Sequence, residues 1–203
     1  MNNYEYIIAG LPVLQHGTGR GSGVDAEGIL AEIRSQLSSR DSALLDFLLS
    51  GFEGDNLDAD FYAKALKSRN RFIRSYFAYD LNLRNAKVEW INRTLSRPEG
   101  QDVLSPDGSQ WTPEFEGRAE IDAVLSGSDI LGRERGLDEL MWQRIEEITL
   151  SDLFDIELIL AFAAKLKIVD RWEKLDPETG QKFFRKLVQD IRATYDNKKN
   201  SDI

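Results

Sequence analysis

The sequence predicts an all-α fold, a multi-helix bundle organised on one long helix. Three observations carry this. Apolar residues recur at three- and four-residue intervals through most of the chain. Residues 58–95, DADFYAKALKSRNRFIRSYFAYDLNLRNAKVEWINRTL, contain neither Pro nor Gly. Prolines and turn dipeptides gather instead in residues 96–117, SRPEGQDVLSPDGSQWTPEFEG. That stretch is longer than a routine connection. It divides one helical domain, 1–203, into an N-terminal half, 1–95, and a C-terminal half, 118–203.

As a continuous helix, 58–95 would exceed about 50 Å at roughly 1.5 Å per residue, longer than a small domain is wide. Tyr62, Leu66, Ile73, Tyr76 and Phe77 form its apolar stripe, interrupted at Arg69. Beyond Phe77 the stripe turns polar, at Asp80, Asn82, Arg84 and Asn85. Polar groups at packing positions either pair inside the fold or meet a partner. Asp80 and Arg84 are spaced to close an i,i+4 ion pair.

Taken in order, residues 4–9, YEYIIA, read as a short strand or extended segment ended by Gly10-Leu11-Pro12. The glycine run from His16 to Gly23 lacks the G-x-G-x-x-G spacing and has no following Gly-Lys-Ser/Thr. It reads as a flexible surface loop carrying an exposed His16, in preference to a phosphate site. Asp25 caps a helix to about Leu37, with Ile29, Leu30, Ile33 and Leu37 on one face. Asp41-Ser42 opens the next, with Leu44, Leu45, Leu48 and Phe52 inward. Asp55, Asp58 and Asp60 lack the glycine and terminal glutamate of a calcium loop. They suit the start of a helix, where the dipole favours carboxylates.

In the long loop, Trp111 and Phe115 are expected to pin the backbone to the surface. Residues 118–126 form a short helix ended by Ser126-Gly127. Leu137, Leu140, Met141, Ile145 and Ile148 make a helical stripe. Ser151 is expected to cap the next helix, which is apolar nearly all round between Leu153 and Val169 and so forms the buried centre of a C-terminal bundle. Asp176-Pro177 opens a last helix with Phe184, Leu187, Val188, Ile191 and Tyr195 inside.

Composition restricts the chemistry. The chain has 203 residues, 41% hydrophobic, with no cysteine and a single histidine, His16. Disulfides, thiolate zinc sites, cysteine catalysis and most histidine-dependent chemistry are thereby excluded. The pairs Glu114/Glu116 and Glu146/Glu147 are weak candidates for acid–base work, since Glu146 and Glu147, adjacent on a helix, face apart, and Glu114 with Glu116 lies in the turn-rich loop. No catalytic, cofactor or metal residue is expected, and the chain reads as a non-enzyme. The longest apolar run, Leu158 to Ala164, is far short of the roughly 20 residues of a membrane span. With no secretory leader, the expectation is a soluble, cytoplasmic protein.

The net charge of −9 is uneven. Residues 58–95 carry eight basic and four acidic side chains, +4 locally and −13 for the remainder. The basic helix either pairs with acidic neighbours inside the fold or offers a docking face to an acidic protein. Nucleic acid is disfavoured as a partner, because an acidic chain is repelled by phosphate.

Two stretches resemble a known family. Tyr4 to Pro12, YEYIIAGLP, is similar to the start of a bacterial family summarised as YYYLIASLP, whose genes lie among those for the V-type (A-type) ATP synthase of anaerobic bacteria. Tyr76 to Trp90, YFAYDLNLRNAKVEW, resembles that family's long helix and, more distantly, the V-type ATPase C-subunit, known in eukaryotes as the d-subunit. The C-subunit has an acid followed three positions on by Asn and five on by a basic residue. Asn85 and Lys87 match the latter two, Asn82 stands at the acid's place, and Asp80 lies two residues earlier.

The resemblance implies a shortened relative of the C-subunit with two helical halves and no cofactor. Such a protein is an adaptor between the central stalk and the membrane rotor ring, contributing by contact to proton or sodium transport coupled to ATP. It would sit on the cytoplasmic face of the inner membrane, peripheral through protein contacts only. Its partners would be central-stalk subunits and the rotor ring, met through Asp80, Asn82, Arg84, Asn85 and Lys87. The alternative is a free helical interaction module acting as an assembly or regulatory factor.

Overall fold

The computed structural model describes residues 4–15, 25–106, 108 and 111–174. The glycine run and the expected last helix lie outside the described residues. Among those described there are eight α-helices and no strand. They are α1 (Glu5–Gly10), α2 (Ala26–Gln36), α3 (Ser39–Ser50), α4 (Ala59–Leu66), α5 (Arg71–Thr94), α6 (Arg118–Leu125), α7 (Ile130–Thr149) and α8 (Ile156–Lys174), with a 3-10 turn at Gly54–Asn56. The fold is all-α, as the periodicity predicts.

The single long helix does not form. It breaks at residues 67–70 into α4 and α5. Asn70 is the cause: its side-chain oxygen accepts from the Ile73 amide at 2.9 Å and starts a new helix. Ser68 adds to the break, accepting from the Asn70 amide through its hydroxyl and from Arg74 through its carbonyl. Side chains of this kind bond the local backbone in competition with the helical ladder. The gain is tertiary, for α4 folds back along α5. The rings of Phe61 and Phe77 meet edge to face with centroids 4.9 Å apart, and Phe61 stacks on Phe47 of α3 at the same spacing. Tyr62, Phe72 and Phe77 are fully buried in this joint. Each contributes about 1.5–3 kcal/mol by leaving water. The remaining α5 has 24 residues, about 36 Å of helix.

The segment expected to be extended is helical from Glu5 to Gly10, with Tyr4 as its N-cap. Tyr4 and Ile7 face inward one turn apart, while Tyr6 is 94% exposed. Three-residue spacing of the inward side chains, not alternation, is the operative pattern. Asp25 caps α2 as expected, through the Gly28 amide. The α3 cap is Ser38, not Asp41-Ser42. Asp41 sits three residues in, buried, and accepts from the hydroxyls of Ser38 and Tyr4. Asp58 caps α4 through the Phe61 amide at 2.7 Å.

The α8 cap is Asp155, not Ser151. Phe154 has a φ of 53°, which no helix continuing from Ser151 could contain. Helix α8 is the buried centre, with Ile159, Leu160, Ala163, Ala164 and Leu166 fully enclosed. Its neighbours are α7 and α5 but also α2 and α3, so the two halves share one hydrophobic core across it. Helix α6 covers α5 and α7. At that contact Gly136 leaves no room for a larger residue, since a Cβ there would lie 2.7 Å from Val124 Cγ1.

Candidate functional site

Two opposite sides of α5 carry its polar residues, and they do different things. The first side fastens the long loop. Asn85 is 1% exposed, and its amide pairs with the backbone of Leu104 in both directions, donating to the carbonyl and accepting from the N–H, each at 2.9 Å. Asn92, also buried, donates to the Gln101 carbonyl at 2.7 Å. Asn82 accepts from the Trp111 indole at 3.1 Å. Trp111 in turn packs on Phe115, and the Arg118 guanidinium lies over both rings. Trp111 and Phe115 therefore pin the loop as expected, and an asparagine row on α5 receives it.

The second side opens onto a cleft between α5, α7 and α8, to whose lining Gly51 and Phe52 after α3 also contribute. Its volume is about 150 Å³. Asp80, Arg84 and Lys87 line it from α5, Glu134 and Asp138 from α7, and Lys167 and Arg171 from α8. Asp80 accepts from the Tyr62 hydroxyl at 2.6 Å and from Arg84 Nε at 2.9 Å. In a continuous helix Tyr62 and Asp80 would stand about 27 Å apart along the axis, so the break at 67–70 creates this contact. Lys87 pairs with Glu134, and Arg171 with Asp138, which also accepts from the Trp172 indole. Leu83, Leu137, Met141 and Ile168 supply apolar wall.

Cleft donors remain unspent. Arg84 uses Nε on Asp80, while its terminal nitrogens have no partner among the described residues. Burial is the largest influence on the Arg84 guanidinium and works against its charge, but Asp80, by charge and by hydrogen bond, together with the phenols of Tyr62 and Tyr76 raises it above its usual value. Among the described residues, Lys167 meets only Asp170, at 3.9 Å. Tyr76 is buried, lines the cleft, and its hydroxyl has no hydrogen-bond partner among the described residues. Burial, followed by the Asp80 charge, pushes its phenol far above the ordinary tyrosine value. Tyr76 is therefore a protonated donor at any ordinary pH.

A second hollow of about 320 Å³ lies under the loop, between Asn92, Arg97 and Arg118. Its cations are matched within the chain, Arg118 with Glu89 and Asp122, Arg93 with Asp122, and Arg97 with Asp102. The unpaired Asn92 oxygen there is enclosed by protein and not presented to the hollow.

The five residues expected to meet a partner thus separate. Asp80 and Asn85 are buried and bonded within the chain, and Asn82 holds Trp111. Arg84 and Lys87 reach the surface, with 46% and 38% of their side chains exposed. Tyr76, Asp138, Lys167 and Arg171 join the site without having been expected there. A signal existed for Asp138, an acid set beside Leu137 within the apolar stripe of α7. None existed for the α8 pair, which reaches the cleft only through tertiary packing. Among the described residues no group of three or more His, Cys, Asp or Glu could hold a metal ion. No helix there is long and apolar enough to cross a membrane.

A family described as a protein of unknown function (DUF2764) matches residues 111–194, from Trp111 through α6, α7 and α8 and onward. No curated protein and no solved structure matches the chain.

Proposed function

We propose that this chain is a non-catalytic component of a V/A-type ATP synthase, similar to the C-subunit and acting as an adaptor between central stalk and membrane rotor ring. The observation that carries the reading is the likeness of Tyr76–Trp90 to the long helix of that family. Those residues lie within α5, against which α4, α6, α7 and α8 all pack. The likeness therefore falls on the scaffold helix, where a shared architecture would be written.

The surface offers support of a different kind. The turn between α7 and α8 exposes Leu150 and Leu153 at 88% and 79%, with Phe154 partly exposed beside them. This turn is clamped. Arg71 grips Asp152 and Glu157, the Phe154 carbonyl accepts from the Tyr4 amide at 2.8 Å, and Asp155 caps α8. Exposed apolar side chains on a pre-ordered turn are the features of a contact surface that loses little entropy on docking.

The test is affinity purification of the tagged chain from native membranes after gentle detergent extraction. Co-elution of stalk and rotor-ring subunits at one copy of this chain per assembled complex is expected. Serine at Leu150 and Leu153 should reduce the yield. Recovery only with incomplete subcomplexes would make the chain an assembly factor, and recovery with no part of the ATPase would remove the reading.

A further inference from the structure

We infer that the cleft between α5, α7 and α8 is a binding seat for one carboxylate carried on a short apolar stem, the group an aspartate or glutamate side chain presents. This inference stands independently of which assembly the chain joins.

Its first support is the phenol of Tyr76. The Tyr76 residue is 4% exposed, so the ring is enclosed while the hydroxyl has no hydrogen-bond partner among the described residues and is left free to donate into the cleft. Here the hydroxyl borders open space that holds spare N–H donors of Arg84 and the lightly engaged Lys167. A neutral O–H, a planar guanidinium edge and an ammonium together satisfy the lone pairs of a carboxylate.

The lining charge selects the kind of anion. Four cations, Arg84, Lys87, Lys167 and Arg171, face three carboxylates, Asp80, Glu134 and Asp138. Among the lining groups the surplus is a single positive charge, lessened by Asp170 at 3.9 Å from Lys167, so the cleft suits no more than a monoanion. A phosphate near its dianionic state would meet those three carboxylates at close range and be repelled. The apolar wall of Leu137, Met141 and Ile168 gives methylene groups of the stem a surface to cover.

The chain has two methionines, and Met141 is the one in the cleft wall. Its methyl resonance in protein labelled at methionine methyl carbons, assigned with Met141→Leu, therefore reports on occupancy. The probes are butyrate, a blocked Ala-Glu-Ala tripeptide, inorganic phosphate and butylammonium. Saturable shifts at millimolar concentration are expected with butyrate and the tripeptide, a weaker response with phosphate and none with butylammonium. Tyr76→Phe should weaken carboxylate binding about ten-fold, the cost of one charge-assisted hydrogen bond. It should not lower the melting temperature, because no bond within the chain is lost.

Butyrate binding with the tripeptide shut out would limit the seat to free small acids. That result overturns a side-chain source while retaining the chemistry. Tighter binding of phosphate than butyrate would overturn the carboxylate assignment. Absence of any saturable Met141 shift, or a Tyr76→Phe protein that binds like the native one, would overturn the seat itself.

Discussion

Replacing Asn85 with alanine tests the asparagine row directly. The side chain is 1% exposed and satisfies both backbone groups of Leu104, the N–H and the carbonyl, at 2.9 Å. Alanine fills less space and leaves both groups without their partner. Each orphaned group costs about 1–3 kcal/mol, lowered where water can enter. Because Leu104 is only partly buried, we expect a total of about 2–4 kcal/mol. For a chain of this size that corresponds to a fall in melting temperature of roughly 5–15 °C. Asn85→Asp should be no better. It can still accept from the Leu104 N–H, but it sets a carboxylate oxygen against the Leu104 carbonyl. Urea unfolding followed by tryptophan fluorescence measures the loss. Cleavage after Glu99 by a glutamate-specific protease, within the released loop, should quicken in parallel. An alanine variant within about 0.5 kcal/mol of the native chain, the range of ordinary surface substitutions, and with an unchanged cleavage rate, would refute the fastening role.

Three further outcomes follow from particular contacts. Tyr62→Phe removes the hydroxyl that donates to buried Asp80 at 2.6 Å; hydrogen bonds to charged groups are worth about 1.5–3 kcal/mol, so urea midpoints should fall accordingly, and an unchanged midpoint would mean Arg84 alone satisfies Asp80. Gly136→Ala should cost about 1–3 kcal/mol by overpacking, because its Cβ would lie 2.7 Å from Val124 Cγ1; a neutral effect in thermal melts would mean α6 can shift away. The hydrogen bond from Lys165, working against burial, holds Glu146 below its usual value near 4.5. A depressed carboxyl stabilises the fold above its unfolded value and loses that stabilisation as pH falls through the folded value. The melting-temperature gap between native protein and Glu146→Gln should therefore be widest near neutrality and close below about pH 4.5, and a gap constant with pH would contradict this.

Local features of the fold were legible because local chemistry determines them. Asp25 and Asp58 cap the helices they precede, Asp80 and Arg84 close their ion pair, and the stripe of Tyr62, Ile73, Tyr76 and Phe77 is buried. The break at 67–70 was not legible, since Ser68, Arg69 and Asn70 are each tolerated in a helix at a cost of well under about 1 kcal/mol. What decides is the burial of Phe61, Tyr62 and Phe77 once α4 folds back, a tertiary gain larger than the lost helical turn. The row Asn82, Asn85 and Asn92 was visible as a polar interruption. Whether such amides face a partner or the chain's own loop depends on where residues 101–111 run, and hydrophobic periodicity says nothing of that. The cleft was hidden for the same reason. Asp138, Lys167 and Arg171 lie more than fifty positions beyond Asp80, and three-helix packing brings them to it.

The two polar sides of α5 also set an expectation about coupling. At about 100° per residue, Tyr76, Asp80, Leu83, Arg84 and Lys87 fall on one arc, and Asn82, Asn85 and Asn92 centre roughly 170° away. The carboxylate seat and the loop fastening are thus separated by the full width of a helix, whose backbone bonds hold its shape whatever either side contacts. Sites about 7–10 Å apart with no shared partner combine additively. Asn85→Ala should accordingly free the loop while leaving the butyrate response of Met141 within about two-fold of native, and Tyr76→Phe should leave cleavage after Glu99 by a glutamate-specific protease unchanged. If Asn85→Ala instead abolished the Met141 response, α5 could not be the rigid partition this geometry describes. Release of the loop would then have to shift the helix, and the two sides would act as one switch.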